Sequence, residues 1–301
     1  MLLTSSAVRT TLLPPPAARA AQARARHLAD RAVNALVLEA RLTPKPALVD
    51  QRGRGAHHDL DLDCLLRSAE ALRGTFERMA LHASVGEADL ALREALGAIG
   101  RQGEGRMLAA TGGRNAHRGA IWVLGLLVAA LAMSGPGRAL AEVAALAARL
   151  ARLPDRYAPR LPSNGSRACQ RFGVGGARGE AAAGFPHVLG LGLPALRSAR
   201  QRGSDENCAR LDALMAVMTS LDDTCLLHRG GWAALAAARR GARRVLALGG
   251  SASADGWRAL LALDAELLRR RASPGGCADL LAACLFLDEV QGLQGEVSWS
   301  S

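Results

Sequence analysis

The apolar residues of this chain are mostly alanine and leucine, and this choice limits what the chain can fold into. Both residues favour helices, whereas strands are built largely from β-branched and aromatic residues. Half of the chain is apolar, yet only 3% of it is aromatic. The sequence therefore predicts an all-α protein, and its 301 residues suffice for a single helical domain with a substantial core.

We divide the chain into three segments. Residues 1–24 contain arginines and three consecutive prolines but no acidic residue, which predicts a disordered N-terminal arm, with a targeting sequence as the alternative. Residues 25–290 show helical periodicity, and residues 291–301 are expected to be a frayed tail. The longest predicted loop covers residues 154–179, which are rich in proline, glycine and arginine.

The net charge of the chain favours an anionic partner. The formal charge is +11, which suits nucleic acid, a membrane surface or a polyphosphate ligand. We find no aromatic residues interleaved with the basic ones and no helix-turn-helix or zinc-finger spacing, so we expect no nucleic acid. The longest apolar run, residues 119–133, is too short to span a membrane. Phosphorylated small molecules remain as the expected partners, although arginine richness could also reflect codon composition.

The cysteines indicate a reducing compartment. The chain has six of them, with no CxxC pair and no cysteine–histidine cluster at zinc-binding spacing. Such cysteines are usually reduced, so we expect a cytoplasmic protein without disulfides.

Six polar segments interrupt the helical pattern, and each combines glycine or proline with charged residues. They are TPKPALVD at residues 43–50, GAHHDLD at 55–61, TGGRNAHRG at 111–119, GGARGEA at 175–181, DDTCLLHRGG at 222–231 and SPGGCAD at 273–279. Loops of this composition at helix ends are where a helical scaffold usually places its ligand contacts. Each segment alone is a weak signal, whereas six in this order are specific.

In this order the segments resemble those of the triphosphoribosyl-dephospho-CoA synthase family, over about residues 35–287. Members of that family are pentosyltransferases that join ATP to 3'-dephospho-CoA and release adenine. The product is a prosthetic-group precursor, which a second transferase attaches to the acyl-carrier protein of malonate decarboxylase or citrate lyase. The run NAHRGAIW at residues 115–122 is similar to the malonate decarboxylase branch. Cys225 stands where the family pattern leads us to expect asparagine.

The resemblance implies ATP as a substrate, Mg²⁺ as the cofactor and a set of site residues. The phosphate-binding candidates are Lys45, His117, Arg118, Arg178, Arg229, Gly275 and Gly276, because a triphosphate needs cations and backbone donors. The catalytic candidates are Glu180, Asp222, Asp223 and His57, because cleavage at the ribose passes through an oxocarbenium-like state that a carboxylate stabilises. The metal candidates are Asp59 and Asp61.

Several alternatives remain open from the residues alone. Asp222 and Asp223 cannot both face one side of a helix, so we expect one to be functional and the other a cap or a surface charge. Glu180 could instead cap the helix that follows it, and the Asp59–Asp61 segment could be a solvated loop. The competing functions are a magnesium-dependent ADP-ribose or nucleoside N-glycoside hydrolase and a non-catalytic nucleotide-binding protein.

Overall fold

The computed structural model describes residues 15–135, 137–159 and 161–297 of the chain. Within these ranges the chain forms α-helices, one short π-helical segment at Val188–Gly192 and no strand, so the all-α prediction is confirmed. The helices are α1 Pro16–Arg41, α2 Leu62–Ala71, α3 Arg73–Ser84, α4 Leu90–Ala110, α5 Arg118–Ser134, α6 Leu140–Arg152, α7 Asn164–Phe172, α8 Gly176–Ala182, α9 Leu193–Gln201, α10 Glu206–Met218, α11 Thr224–Ala247, α12 Ala254–Arg269 and α13 Gly275–Val297.

Both ends of the helical part extend further than the sequence predicts. Helix α1 begins at Pro16, so residues 16–24 of the predicted arm are helical, while residues 1–14 lie outside the described residues. Proline is well suited to the first helical position, and the alanines that follow propagate a helix without packing contacts. Helix α13 runs on to Val297, so most of the predicted frayed tail is also helix.

The long predicted loop at residues 154–179 contains helix α7 and the start of α8. The side chain of Ser163 caps α7 by accepting a hydrogen bond from the Ser166 N–H at 3.1 Å, and Gly173 ends it in a left-handed conformation. These are ordinary start and stop signals, but they enclose only nine residues of poor helix formers. The local signals were therefore present, and the glycine-rich composition obscured them.

Helices α5 and α13 form the centre of the domain. Helix α5 packs against α1, α3, α4, α6 and α13, and nearly every side chain from Ala120 to Ala132 is buried. This explains the long apolar run, because a helix that is apolar all round needs neighbours on every side. Helix α13 contacts α1, α5, α10 and α11. Among the residues that the structure describes, no helix combines the length and apolarity needed to cross a membrane.

Two glycines of α4 provide a test of how α3 and α4 pack against each other. A methyl group on Gly103 would lie 2.5 Å from Cγ2 of the fully buried Thr75 in α3, whereas one on Gly105 would meet nothing within 4 Å. We expect Gly103→Ala to lower the free energy of unfolding by about 1–3 kcal/mol, because a β-branched neighbour cannot move aside. Gly105→Ala should raise it by up to about 1 kcal/mol. Urea denaturation of both variants checks this, and equal effects would contradict the described crossing of α3 and α4.

Candidate active site

Three helices begin at one place in the structure. A methyl group on Gly119, in the first turn of α5, would collide with the Asp279 carboxylate of α13. A methyl group on Gly275, the first residue of α13, would lie 2.9 Å from Sγ of Cys225 at the start of α11. Helix N-termini expose unpaired N–H groups and the positive ends of the helix dipoles. The convergence of α5, α11 and α13 therefore favours an anionic ligand there.

The starts of α7 and α8 border the same region. Nε1 of Trp122 in α5 donates a hydrogen bond to the Ala177 carbonyl of α8 at 3.2 Å. Methyl groups on Gly165 of α7 and on Gly176 of α8 would lie 3.6 and 3.1 Å from side-chain atoms of Thr224 in α11. The polar segments at residues 175–181 and 222–231 therefore lie beside each other, and the first of them contacts α5.

One carboxylate joins the starts of α11 and α13. Asp223 is 1% exposed, and its Oδ1 accepts hydrogen bonds from the N–H groups of Cys225 and Leu226 at 2.8 and 3.1 Å. Its Oδ2 accepts from the N–H of Cys277 in α13 at 2.8 Å and lies 3.1 Å from the place of a methyl group on Gly276. Burial raises the pKa of Asp223. Gly275 and Gly276 accordingly pack against α11, with this capping carboxylate held between the two helices.

Asp222 points elsewhere. Its side chain is about half exposed and forms an ion pair with Arg239 of α11 at 2.7 Å. Of the two adjacent aspartates, one is therefore a buried cap and the other pairs at the surface.

Asp279 is the carboxylate that the sequence interpretation left out of the site. It lies just after the first turn of α13, beside Gly119 and near the Ala120 N–H of α5, and it keeps part of its surface exposed. Burial and the neighbouring carboxylates of Glu39 and Asp223 raise its pKa well above the usual range. Its position at the end of the sixth polar segment was the available signal. A carboxylate with a raised pKa at three helix N-termini is suited to taking up a proton.

His117 occupies the N-cap position of α5 and is 4% exposed. Its Nδ1 lies 2.7 Å from the hydroxyl of Ser68 in α2. Its Nε2 is buried and has no hydrogen-bond partner among the described residues. Burial, and secondarily the charge of Lys45, lower the pKa of His117 to about 4. The imidazole is therefore neutral at pH 7.

Lys45 is almost completely buried, at 1% exposure. Its ammonium group donates to Oε1 of Glu39 at 2.5 Å and to the Glu39 carbonyl at 2.7 Å. Such a pair requires close matching, because a charge left alone in the interior would be very costly. Lys45 thus reaches the site as half of a buried ion pair.

The polar segment at residues 55–61 contacts Arg229, which lies at the rim of the site. Nη2 of Arg229 donates to Nδ1 of His57 at 3.1 Å, and its Nη1 is 3.5 Å from the Ala56 carbonyl. Burial and then the charge of Arg229 lower the pKa of His57 to about 4. Because arginine only donates, His57 is neutral with Nδ1 as an acceptor. With this contact and with Lys45, all six polar segments lie in one region.

The other two predicted phosphate-binding cations, Arg118 and Arg178, differ in whether a carboxylate already pairs with them. Arg118 forms an ion pair with Glu104 of α4. Arg178 is exposed, and its guanidinium lies over the ring of Trp122, 5.6 Å from the ring centre. Within the described part of the chain, neither Arg178 nor Arg229 has a carboxylate partner, so these two guanidinium groups are available to an anion at the rim.

Glu180 is buried away from the other predicted catalytic residues. Its Oε1 accepts from the His187 N–H at 2.9 Å, and its Oε2 lies 2.7 Å from Nδ1 of the same residue. Burial, and then the carboxylates of Asp288 and Glu180, raise the pKa of Cys284, which is more than one turn further along α13 than Asp279. The structure brings Glu180 together with His187 instead of with Asp279.

The two magnesium candidates, Asp59 and Asp61, have different surroundings. Asp61 caps α2 by accepting from the Cys64 N–H at 2.9 Å, and its other oxygen is 3.5 Å from Arg54. Oδ1 of Asp59 is buried without a hydrogen bond and lies 3.8 Å from Nδ1 of His57. The ranges that the structure describes contain no group of three metal-binding side chains. A single orphaned carboxylate oxygen still fits a Mg²⁺ ion that takes its other ligands from phosphate and water.

The fold and this site define a helical protein whose polar segments meet at the N-termini of several helices. Residues 25–298 match the family model of ATP:dephospho-CoA triphosphoribosyl transferases. The chain belongs to this family of transferases. The resemblance found in the six polar segments is thereby confirmed.

Relatives of known name cover nearly the whole domain. The chain is 55% identical over 272 residues to the 2-(5''-triphosphoribosyl)-3'-dephosphocoenzyme-A synthase of Klebsiella pneumoniae, covering 90% of this chain and 97% of that protein. It is 56% identical to relatives from Azotobacter vinelandii and Pseudomonas fluorescens Pf-5, covering 94% and 92% of those proteins. Both carry the same name, preceded by the word probable. No solved structure matches the chain.

The lowered pKa of His117 predicts a specific dependence of stability on pH. Between pH 6.5 and 4 the unfolded chain binds a proton on this histidine that the folded protein does not bind. Stability should therefore decrease as the pH falls through this window, and His117 should account for about 3 kcal/mol of the loss. In urea denaturation, His117→Asn should show a shallower dependence than the wild type. The exposed His82→Asn serves as the control, and a curve for His117→Asn parallel to the wild type would refute the assignment.

Proposed function

We propose that this chain joins ATP to 3'-dephospho-CoA, forming 2'-(5''-triphosphoribosyl)-3'-dephospho-CoA and releasing adenine. The observation that carries this proposal is the convergence of six polar segments at the N-termini of α5, α11 and α13, in a chain 55% identical to a synthase of that name. We further propose that the product goes to a transferase that modifies an acyl-carrier protein. The NAHRGAIW run supports the malonate decarboxylase branch over citrate lyase.

The triphosphate is held by a combination of charge and backbone donors. Within the described part of the chain, Arg229 and Arg178 lie at the rim without carboxylate partners, and the helix starts supply the N–H groups that Asp223 and Asp279 do not already occupy. Arginine suits this role because its planar fork matches two phosphate oxygens at once. Lys45 is already paired with Glu39. Its contribution is that, together with burial, its charge lowers the pKa of His117 and keeps that imidazole neutral. Arg118 shares its charge with Glu104 and can turn to phosphate only by leaving that partner.

Asp279 is our proposed general base. The bond between adenine and C1' of the ATP ribose breaks, the 2'-hydroxyl oxygen of dephospho-CoA forms the new bond to that carbon, and the departing adenine nitrogen takes up one proton. The hydroxyl proton passes to a carboxylate, for which Asp279 is suited by its raised pKa and its partly open position. Asp223 has three backbone N–H donors on its oxygens, and Asp222 has Arg239. Glu180, held by His187, is the competing assignment.

Magnesium would be held by Asp59, with Asp61 beside it. The ion would neutralise part of the triphosphate charge when bound. His57 is neutral and accepts from Arg229, so we propose that it orients this arginine toward phosphate.

The reaction itself is tested by incubating the purified protein with ATP and Mg²⁺, with and without dephospho-CoA. Adenine should appear only when the acceptor is present, in a one-to-one ratio with an adduct whose mass is that of both substrates less adenine. Equal adenine release without acceptor, together with free ribose 5'-triphosphate, would identify a hydrolase. Binding of ATP with no adenine release would identify a non-catalytic nucleotide-binding protein.

The carboxylate assignment is tested by Asp279→Asn. Turnover should fall by about 100-fold or more, the usual scale for a lost acid–base group. The melting temperature should be unchanged or higher, because burial already disfavours the charged form of Asp279. The matched control, Asp222→Asn, removes only a surface ion pair and should stay within about threefold of wild type. Full turnover in Asp279→Asn with loss in Glu180→Gln would move the base to Glu180.

A further inference from the structure

The hydroxyl of Ser68 and the imidazole of His117 form an isolated pair in the interior. Ser68 lies in α2 and is completely buried. Its Oγ is 2.7 Å from Nδ1 of His117, which is its only side-chain hydrogen bond in the described part of the chain. Helix α2 thus contributes a residue to the site that lies in none of the six polar segments.

The hydrogen-bonding capacity of the pair determines which ring nitrogen carries the proton. If Nδ1 of His117 donated to Ser68, the serine proton would be buried without an acceptor. If Ser68 donates to Nδ1, every group of the pair is satisfied except Nε2, which then carries the imidazole proton. An unmet buried hydrogen bond costs about 1–3 kcal/mol, so the second arrangement is favoured. Nε2 of His117 is therefore a donor that lacks an acceptor among the residues that the structure describes.

The surroundings of this donor indicate what it binds. His117 precedes the first turn of α5, at the positive end of the dipole of that helix, and the ammonium of Lys45 lies close enough to act on its imidazole. The positive end of α5 favours an anionic oxygen as the acceptor, whereas the charge of Lys45 is already balanced by Glu39. A protonated, charged imidazole is not required, since a neutral N–H donates as well.

We infer that Ser68 is a positioning residue, which holds His117 as the Nε2–H tautomer so that this N–H donates to a phosphate oxygen of the bound nucleotide. The identity of that nucleotide as ATP rests on the proposed function. The tautomer and the role of Ser68 do not.

The tautomer is measured first on the protein without substrate. Nitrogen-15 NMR of histidine-labelled protein, with the His117 signals identified by their absence in His117→Asn, should show a protonated Nε2 and an unprotonated Nδ1. In Ser68→Ala the His117 ring should become a mixture of tautomers. Thr75→Val is the matched control, because it also removes a fully buried hydroxyl, one that has no hydrogen-bond partner. A protonated Nδ1 in the wild type would overturn the inference, and so would an unchanged tautomer in Ser68→Ala.

The phosphate contact is measured with ATP alone. Adding ATP should shift the Nε2 and Nε2–H signals of His117 in the wild type and in Thr75→Val. Unshifted signals at saturating ATP would overturn the contact, whether or not the protein makes the adduct.

Kinetics then test whether Ser68 acts through His117. Losing a hydrogen bond to a charged group typically weakens binding by about tenfold or more, so His117→Ala should raise KM for ATP by that factor with little change in kcat. Ser68→Ala should raise KM by about threefold or more, and it should have no further effect in the His117→Ala background. Ser68→Cys, with its weak S–H donor, should lie between Ser68→Ala and wild type.

Additive effects in the double variant would show that Ser68 acts independently and would overturn its positioning role. If Ser68→Ala failed to fold, Ser68→Cys and the wild-type tautomer would still decide the matter. Absence of adduct in the wild type, with the Nε2–H tautomer and the ATP shift present, would reject the proposed function and leave this inference standing.

Discussion

The hydrogen bonds of Asp223 hold the starts of α11 and α13 together, and the candidate site depends on this junction. A single buried carboxylate accepts from backbone N–H groups of both helices, so the two N-termini are fixed relative to each other. Gly275 and Gly276 permit the close approach, since side chains there would strike Cys225 and Asp223. A cap of this kind satisfies donors that would otherwise be orphaned in the interior. The cysteine that replaces the expected asparagine therefore lies inside the junction.

The site combines the positive ends of helix dipoles with buried carboxylates, and the opposite charges stabilise each other. Several helix N-termini at one place repel one another through their dipoles, and buried carboxylates such as Asp223 and Asp279 offset this. Burial, followed by the neighbouring carboxylates of Glu39 and Asp223, raises the pKa of Asp279, which makes it a stronger base than an exposed aspartate. A region of this kind can bind phosphate through its backbone and still hold a proton acceptor. Helix α13 supplies both the amides and the acid.

The sequence predicts the helical scaffold well and the pairing of charges poorly. Alanine and leucine periodicity is a local property, so α5 and the later helices could be predicted, whereas the short, glycine-flanked α7 could not. The six segments could be recognised as functional, but their convergence is a property of the packed helices. Lys45 pairs with Glu39 across a helix end, and Glu180 pairs with His187 across a turn. These pairs depend on the direction in which each side chain points, which the sequence pattern does not give. Ser68 gave no signal, because a buried serine in a helix has no distinctive pattern around it.

The burial of Lys45 has a consequence for the chemistry of the protein surface. Lys45 is the only lysine in the chain, and its amine is enclosed with Glu39. Every other basic side chain except histidine is an arginine, whose guanidinium is always charged and is a poor nucleophile. Amine-directed acylation, cross-linking or immobilisation would therefore find no accessible side chain on the folded domain. Labelling of Lys45 would report unfolding of the interior, and a strongly basic protein would in this respect behave as one without side-chain amines.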